Sequence, residues 1–145
     1  MDGETKPAVP AWYWIVAVLA LLWEAGGCYA YLSSVTMKTA DVGGYSPAQR
    51  AIFDAMPAWV WAAYAVAVWV GLTGALALLI RQSWARLAFI VSLAAAIVQF
   101  GWVLLATPAL KTLGPSATAV PICVIVAGTF LIWFAGEAAR RGWLR

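Results

Sequence analysis

The stretch AWYWIVAVLALLWEAGGCYAYL, from Ala11 to Leu32, decides how this chain is read, because it holds a single charged residue, Glu24, in an otherwise apolar run. At about 1.5 Å of rise per residue, a run of about 20 residues covers the roughly 30 Å of hydrocarbon in a bilayer. Lipid offers an open backbone no hydrogen-bond partners, so such a segment satisfies its own N–H and C=O groups as a helix. Asp2 and Glu4 stand where a secretory leader carries basic residues, and the run is longer than a leader's apolar core, so the segment is expected to persist as a helix.

Three further runs repeat the pattern: Ala58 to Ile80, Trp84 to Ala106 and Ala117 to Gly136. The expected fold is therefore all-α, one domain over 1–145: a polytopic membrane protein whose four transmembrane helices, at about 11–33, 57–80, 84–106 and 117–138, form an antiparallel bundle. Composition agrees. Of 145 residues, 65% are hydrophobic and 10% charged, and the mean hydropathy is +0.87, whereas water-exposed domains carry about 25% charge. The bilayer is the expected partner. The net charge of +3 is scattered at the ends of apolar runs, which is no nucleic-acid footprint.

Histidine is absent, which removes imidazole ligation of haem or zinc and the commonest general base. Cys28 and Cys123 lie inside apolar runs and form no metal motif. No nucleophile–base pair or ligand set can be named, so neither an enzyme nor a cofactor is expected. The two thiols sit at similar depth and would meet only if the first and fourth membrane helices were neighbours.

Pro10 and Pro57 open two of the runs, where a missing N–H costs least. Trp12, Trp14, Trp59, Trp61, Trp84, Trp102 and Trp133 fall near expected helix ends, where an indole keeps its ring in lipid and its N–H near water. Trp23 and Trp69 lie deeper, as helix packing or as walls of a ligand cavity. With the N-terminus inside, the cytoplasmic side receives Lys6, Arg81, Arg86, Arg140, Arg141 and Arg145, and the opposite side Lys38, Arg50 and Lys111. That bias places both termini in the cytoplasm.

The longest loop, Ser33 to Met56, then lies outside. Asp41-Val-Gly-Gly-Tyr45 suggests a turn. In Ser46-Pro47-Ala48-Gln49, Ser46 can cap a helix, Pro47 fits its first turn and Gln49 can reach back in a capping box. Ala48, Ala51, Ile52, Ala55 and Met56 share one side, and Arg50 and Asp54 are spaced as an i,i+4 pair. A short amphipathic periplasmic helix between the first two membrane helices is expected, the other reading being an extension of the second.

Glu24 is the residue most able to carry function. It sits about 20 Å along the first run, where a charged side chain costs roughly 2.5–3.5 kcal/mol on insertion scales, so such groups face a protein interior or a wet cavity. Ala17, Ala20, Gly27, Cys28 and Tyr31 share its face, mostly small groups that let another helix approach. Gln99 lies about 10 Å inside the outer boundary and Glu24 about 12 Å, so the two share a layer. Tyr29, Tyr31, Tyr64, Thr73 and Ser92 add hydroxyls, and no basic residue reaches that depth. An ion pair is unavailable; a protonated Glu24 bonded to Gln99 or a hydroxyl, or a hydrated carboxylate, remains. The candidate binding site is Glu24, Gln99, Tyr31, Tyr64, Trp23 and Trp69.

Small residues recur every four positions as Ala63, Ala67, Gly71 and Ala75, and as Ala88, Ser92 and Ala96. Such faces pack helices of one chain together or pair one copy with another. Pro121 should cost a backbone hydrogen bond near the outer end of the last helix.

Along almost its whole length, through Pro10-Ala-Trp-Tyr-Trp14, Leu21-Leu-Trp-Glu24, Gly27, Tyr31, Pro57-Ala-Trp59, Val68-Trp69, Gly74 and Ser92-Leu93, the chain resembles a family of small uncharacterised four-helix inner-membrane proteins of sphingomonads and related proteobacteria, sometimes labelled sugar transporters. Members of that family usually carry Asn where Glu24 stands. The resemblance implies transport. Two functions follow as expectations: a small transporter with a mid-membrane acidic site at Glu24, or a non-catalytic accessory subunit of a larger membrane complex. A homo-oligomer is compatible with either.

Overall fold

Four apolar helices, each long enough to cross a bilayer, dominate the computed structural model of the chain, which describes residues 8–36 and 46–145. The turn expected at Asp41–Tyr45, and Asp2, Glu4, Lys6 and Lys38, lie outside the described residues. In chain order the helices are α1 (Ala11–Thr36), α2 (Pro47–Ala55), α3 (Ala58–Leu79), α4 (Ala85–Ala106), α5 (Ala109–Thr112) and α6 (Ser116–Arg140). The membrane-length helices are α1, α3, α4 and α6. α1 runs three residues further than its sequence suggests, and within that last turn Ser34 and Thr36 donate their hydroxyls to the carbonyls of Ala30 and Leu32, at 2.8 and 2.9 Å.

The helices pack as a row: α1 on α3, α3 on α4, and α4 on α6. Small residues set the closest approaches. A Cβ on Gly74 would stand 3.0 Å from the ring of Phe89 and 3.2 Å from Cβ of Ala88, so α3 and α4 meet almost backbone to backbone. Ser92 ties them by donating to the Ala67 carbonyl at 2.5 Å. On the other side of α4, Leu93 presses on Gly128 of α6. The two small-residue stripes are thus spent on each other inside one chain, where close contact replaces the hydrophobic drive that lipid lacks.

At the end of the bundle where α1 begins and α6 ends, the row is drawn into a ring. Tyr13 is fully buried and donates to the Leu78 carbonyl at 2.6 Å. Its ring stacks on Phe134 of α6 at 5.5 Å, and Trp12 meets Phe134 edge-on at 5.9 Å. The chain after α6 turns back through Gly142, whose φ is 73°. Trp143 N–H closes on the Ala138 carbonyl at 2.9 Å and Gly142 N–H on Ala139 at 3.1 Å, the two bonds of a Schellman stop. Trp143 and Leu144 are thereby buried against Tyr13 and Phe134.

α3 stops in the same way, but with Arg81 in the left-handed position, φ 60°. A non-glycine residue there costs roughly 1–2 kcal/mol, and tertiary bonds hold it. Arg81 Nε donates to the Trp143 carbonyl at 2.6 Å. Arg145 N–H donates to the Arg81 carbonyl at 2.7 Å, and Ser83 N–H to the Arg145 carbonyl at 2.9 Å.

At the opposite end, α2 forms with the expected capping box: Gln49 N–H donates to Ser46 Oγ at 3.2 Å, and Ser46 N–H to Gln49 Oε1 at 2.9 Å. Its apolar side, Ala48, Ala51, Ile52 and Ala55, lies over Ala106–Thr112. The single-turn α5 in that connection is not signalled by any sequence pattern. Pro121 lies inside α6 without ending it; its missing N–H leaves the Ala117 carbonyl without its helical donor.

Candidate functional site

Glu24 stands at the middle of α1, on the inward stripe Tyr13, Ala17, Ala20, Glu24 and Cys28. The three- and four-residue steps of this stripe keep it on one side of a 3.6-residue helix. Only 9% of Glu24 is exposed. What makes room for the carboxylate is Gly71 on α3. A Cβ there would collide with Glu24 Oε2, stand 2.7 Å from Glu24 Cδ and 2.9 Å from Ser92 Oγ. Glu24, Gly71 and Ser92 therefore converge on one spot, brought by three different helices.

No donor of this chain satisfies the carboxylate among the described residues. Ser92 has given its proton to Ala67, and Thr73 bonds back to the Trp69 carbonyl of its own helix. Tyr29 is 75% exposed on the far side of α1. The bond to Gln99, one of the alternatives the sequence left open for Glu24, is absent from the structure. Gln99 is buried, yet both side chains face the same space: a cavity of about 370 Å³ between α1, α3, α4 and α6. Phe89, Leu93, Ala96, Phe100 and Val124 supply most of its apolar wall.

Of the sequence-derived site, Trp23, Glu24, Tyr64 and Gln99 line this cavity, and Tyr31 and Trp69 do not. Tyr31 instead packs edge-on against Tyr64 at 5.1 Å and so backs the wall through it, and Trp69 lies behind Tyr31 at 6.5 Å. Depth along a helix was readable from sequence; rotation about it was not, and rotation separates a lining ring from a backing one. Trp23 is 45% exposed, so it is not packed between helices but stands at the cavity's edge. Gly71 and Gly128 were legible only as small residues; that one makes space for a carboxylate and the other receives Leu93 depends on which helices face each other.

The two thiols stay apart. Cys28 is buried with Sγ 3.4 Å from the Val68 carbonyl, whereas Cys123 is exposed, and both are free. Among the described residues no three His, Cys, Asp or Glu side chains gather as a metal site. What remains is one acidic group, one carboxamide and the hydroxyls of Ser92 and Tyr64, with the Trp23 indole at the edge, in an otherwise apolar chamber. That arrangement can receive a hydrogen-bond donor or a cation carried on an apolar body. In comparisons with known proteins, the chain matches no family model, no curated protein and no solved structure.

Proposed function

We propose that this integral membrane protein is a small transporter of the bacterial inner membrane, with both termini cytoplasmic, and that Glu24 is the polar anchor of its substrate site. One observation carries this reading: a nine-tenths-buried carboxylate, with no hydrogen-bond partner among the described residues, opens onto a cavity of about 370 Å³. A buried acid kept only for structure finds a partner, because leaving a polar group unpaired costs roughly 1–3 kcal/mol. Here the partner is left for a ligand to supply. The accessory-subunit reading rests on the small size, the minimal loops and the small-residue faces, of which those of α3 and α4 are already occupied by each other.

The wall also bears on the substrate. A sugar would bring several hydroxyls to a chamber whose polar side chains, Glu24, Gln99, Ser92 and Tyr64 with the Trp23 indole at its edge, stand in an otherwise apolar wall, and each unpaired hydroxyl would cost about 1–3 kcal/mol. Solutes with one polar group fit better. Proteoliposomes loaded with a pH-sensitive dye and challenged with a panel of alcohols, amines and sugars test the proposal. Solute-dependent flux is expected for the monofunctional members, retained in Glu24→Asp and abolished in Glu24→Gln. Equal flux in Glu24→Gln, or none for any solute, would overturn it. Reporter fusions test the orientation: a C-terminal fluorescent protein should fold in the cytoplasm, and alkaline phosphatase inserted between Thr36 and Ser46 should be active.

A further inference from the structure

The row of helices has two ends, α1 and α6, and they do not form a packed pair. Where α1 begins and α6 ends, the aromatic cluster of Trp12, Tyr13, Phe134 and Trp143 pins them together. About three turns further along α1, the same two helices face each other across the cavity. Leu22, Trp23 and Gly26 line it from α1, and Val120, Val124 and Gly128 from α6. Leu22, Trp23 and Val120 are 63%, 45% and 61% exposed. They are rim residues whose other faces meet acyl chains, because this level of α1 and α6 lies inside the apolar spans.

We infer that the cavity opens sideways into the bilayer between α1 and α6, and that Glu24 receives an amphipathic molecule dissolved in the lipid, with an apolar chain and a single hydrogen-bond-donating head. This rests on the reading of the Glu24 cavity as a ligand site. Joined at the aromatic end and apart at the level of the cavity, α1 and α6 leave this gap open in the structure as it stands, with no moving part required. The head would reach Glu24 and Gln99 at the base of the chamber while its chain leaves past Trp23 and Val120, whose apolar sides match it. Such a ligand gives the carboxylate its missing donor without carrying water into the wall.

Gly26 offers a plug. It lines the cavity, and no heavy atom lies within 4 Å of where its Cβ would be, so the Cβ of Gly26→Trp meets no neighbour at its root. Gly101 is equally open but lies away from the cavity, and Gly101→Trp is the control. The probes are two carbodiimides applied to the protein in phosphatidylcholine–phosphatidylglycerol vesicles, one lipid-soluble (dicyclohexylcarbodiimide) and one water-soluble, with modification of Glu24 read by peptide mass spectrometry.

The lipid-soluble reagent should modify Glu24 at least about tenfold faster than the water-soluble one, since an apolar wall excludes the latter. Gly26→Trp should slow that reaction by about tenfold, and Gly101→Trp should leave it unchanged, because only the former narrows the path. Dodecanol and dimethyldodecylamine should protect Glu24, and dodecane and ethanol should not. Equal rates for the two reagents, no effect of Gly26→Trp, or protection by dodecane would overturn lateral access by an amphipath while leaving a ligand site at Glu24 standing. Modification by neither reagent would instead mean a sealed carboxylate, and the transport reading would fall with it.

Discussion

Replacing Gly71 with alanine should reverse its effect on stability according to what stands at position 24. In an isolated helix Gly→Ala gains up to about 1 kcal/mol. Here the new methyl would meet Glu24 Cδ at 2.7 Å and Ser92 Oγ at 2.9 Å, where ordinary contacts are about 3.5–4.0 Å. Glu24 can swing into the adjoining cavity, at a rotamer cost of about 0.5–1.5 kcal/mol. Ser92 has less freedom, and moving it weakens its bond to Ala67; such bonds inside membranes are worth about 0.6 kcal/mol on average. Together these costs equal or exceed the helix gain, so Gly71→Ala alone should be neutral to about 1 kcal/mol destabilising. In a Glu24→Ala background the larger clash is gone, and the same change should become neutral or stabilising. Reversible unfolding by SDS in bicelles of wild type, both single variants and the double variant measures the coupling, expected at about 1 kcal/mol. Additivity within about 0.3 kcal/mol would refute the contact, and with it the convergence of α1, α3 and α4 on Glu24.

Other consequences are separable from that site. Tyr13→Phe removes the buried bond to the Leu78 carbonyl, which keeps a second donor in Arg81 N–H; the expected loss is about 0.6–1.7 kcal/mol in the same unfolding assay. Gly142→Ala puts a Cβ on a residue with φ 73°, at about 1 kcal/mol, and should free the buried Trp143, seen as a red shift and increased quenching of tryptophan emission. Ser46→Ala deletes one side of the capping box of α2, at about 1 kcal/mol, so hydrogen exchange at Gln49 and Arg50 should rise about fivefold while the membrane helices keep their protection. Phe134→Ala empties the centre of the aromatic cluster and should cost about 3–5 kcal/mol; a thermal shift in detergent no larger than that of Gly142→Ala would contradict its role in pinning α6 to α1.

Much of the architecture could be read along the chain because the properties that determine it are local. Span length against bilayer thickness identifies α1, α3, α4 and α6, and Ser46 with Gln49 marks the start of α2, since both ends of that device lie three residues apart. Glu24 could be placed at mid-depth and turned inward, because a charged group on the lipid side is too costly. The order of helices in the row is another matter. It depends on which small-residue faces interlock, as Gly74 does with Phe89 and Gly128 with Leu93, and neither face carries a mark of its partner. The cavity, its open side between α1 and α6, the exclusion of Tyr31 and Trp69 from its wall and the return of Trp143 onto Tyr13 all follow from that order. They join residues tens of positions apart, and only close contact between whole helices selects them.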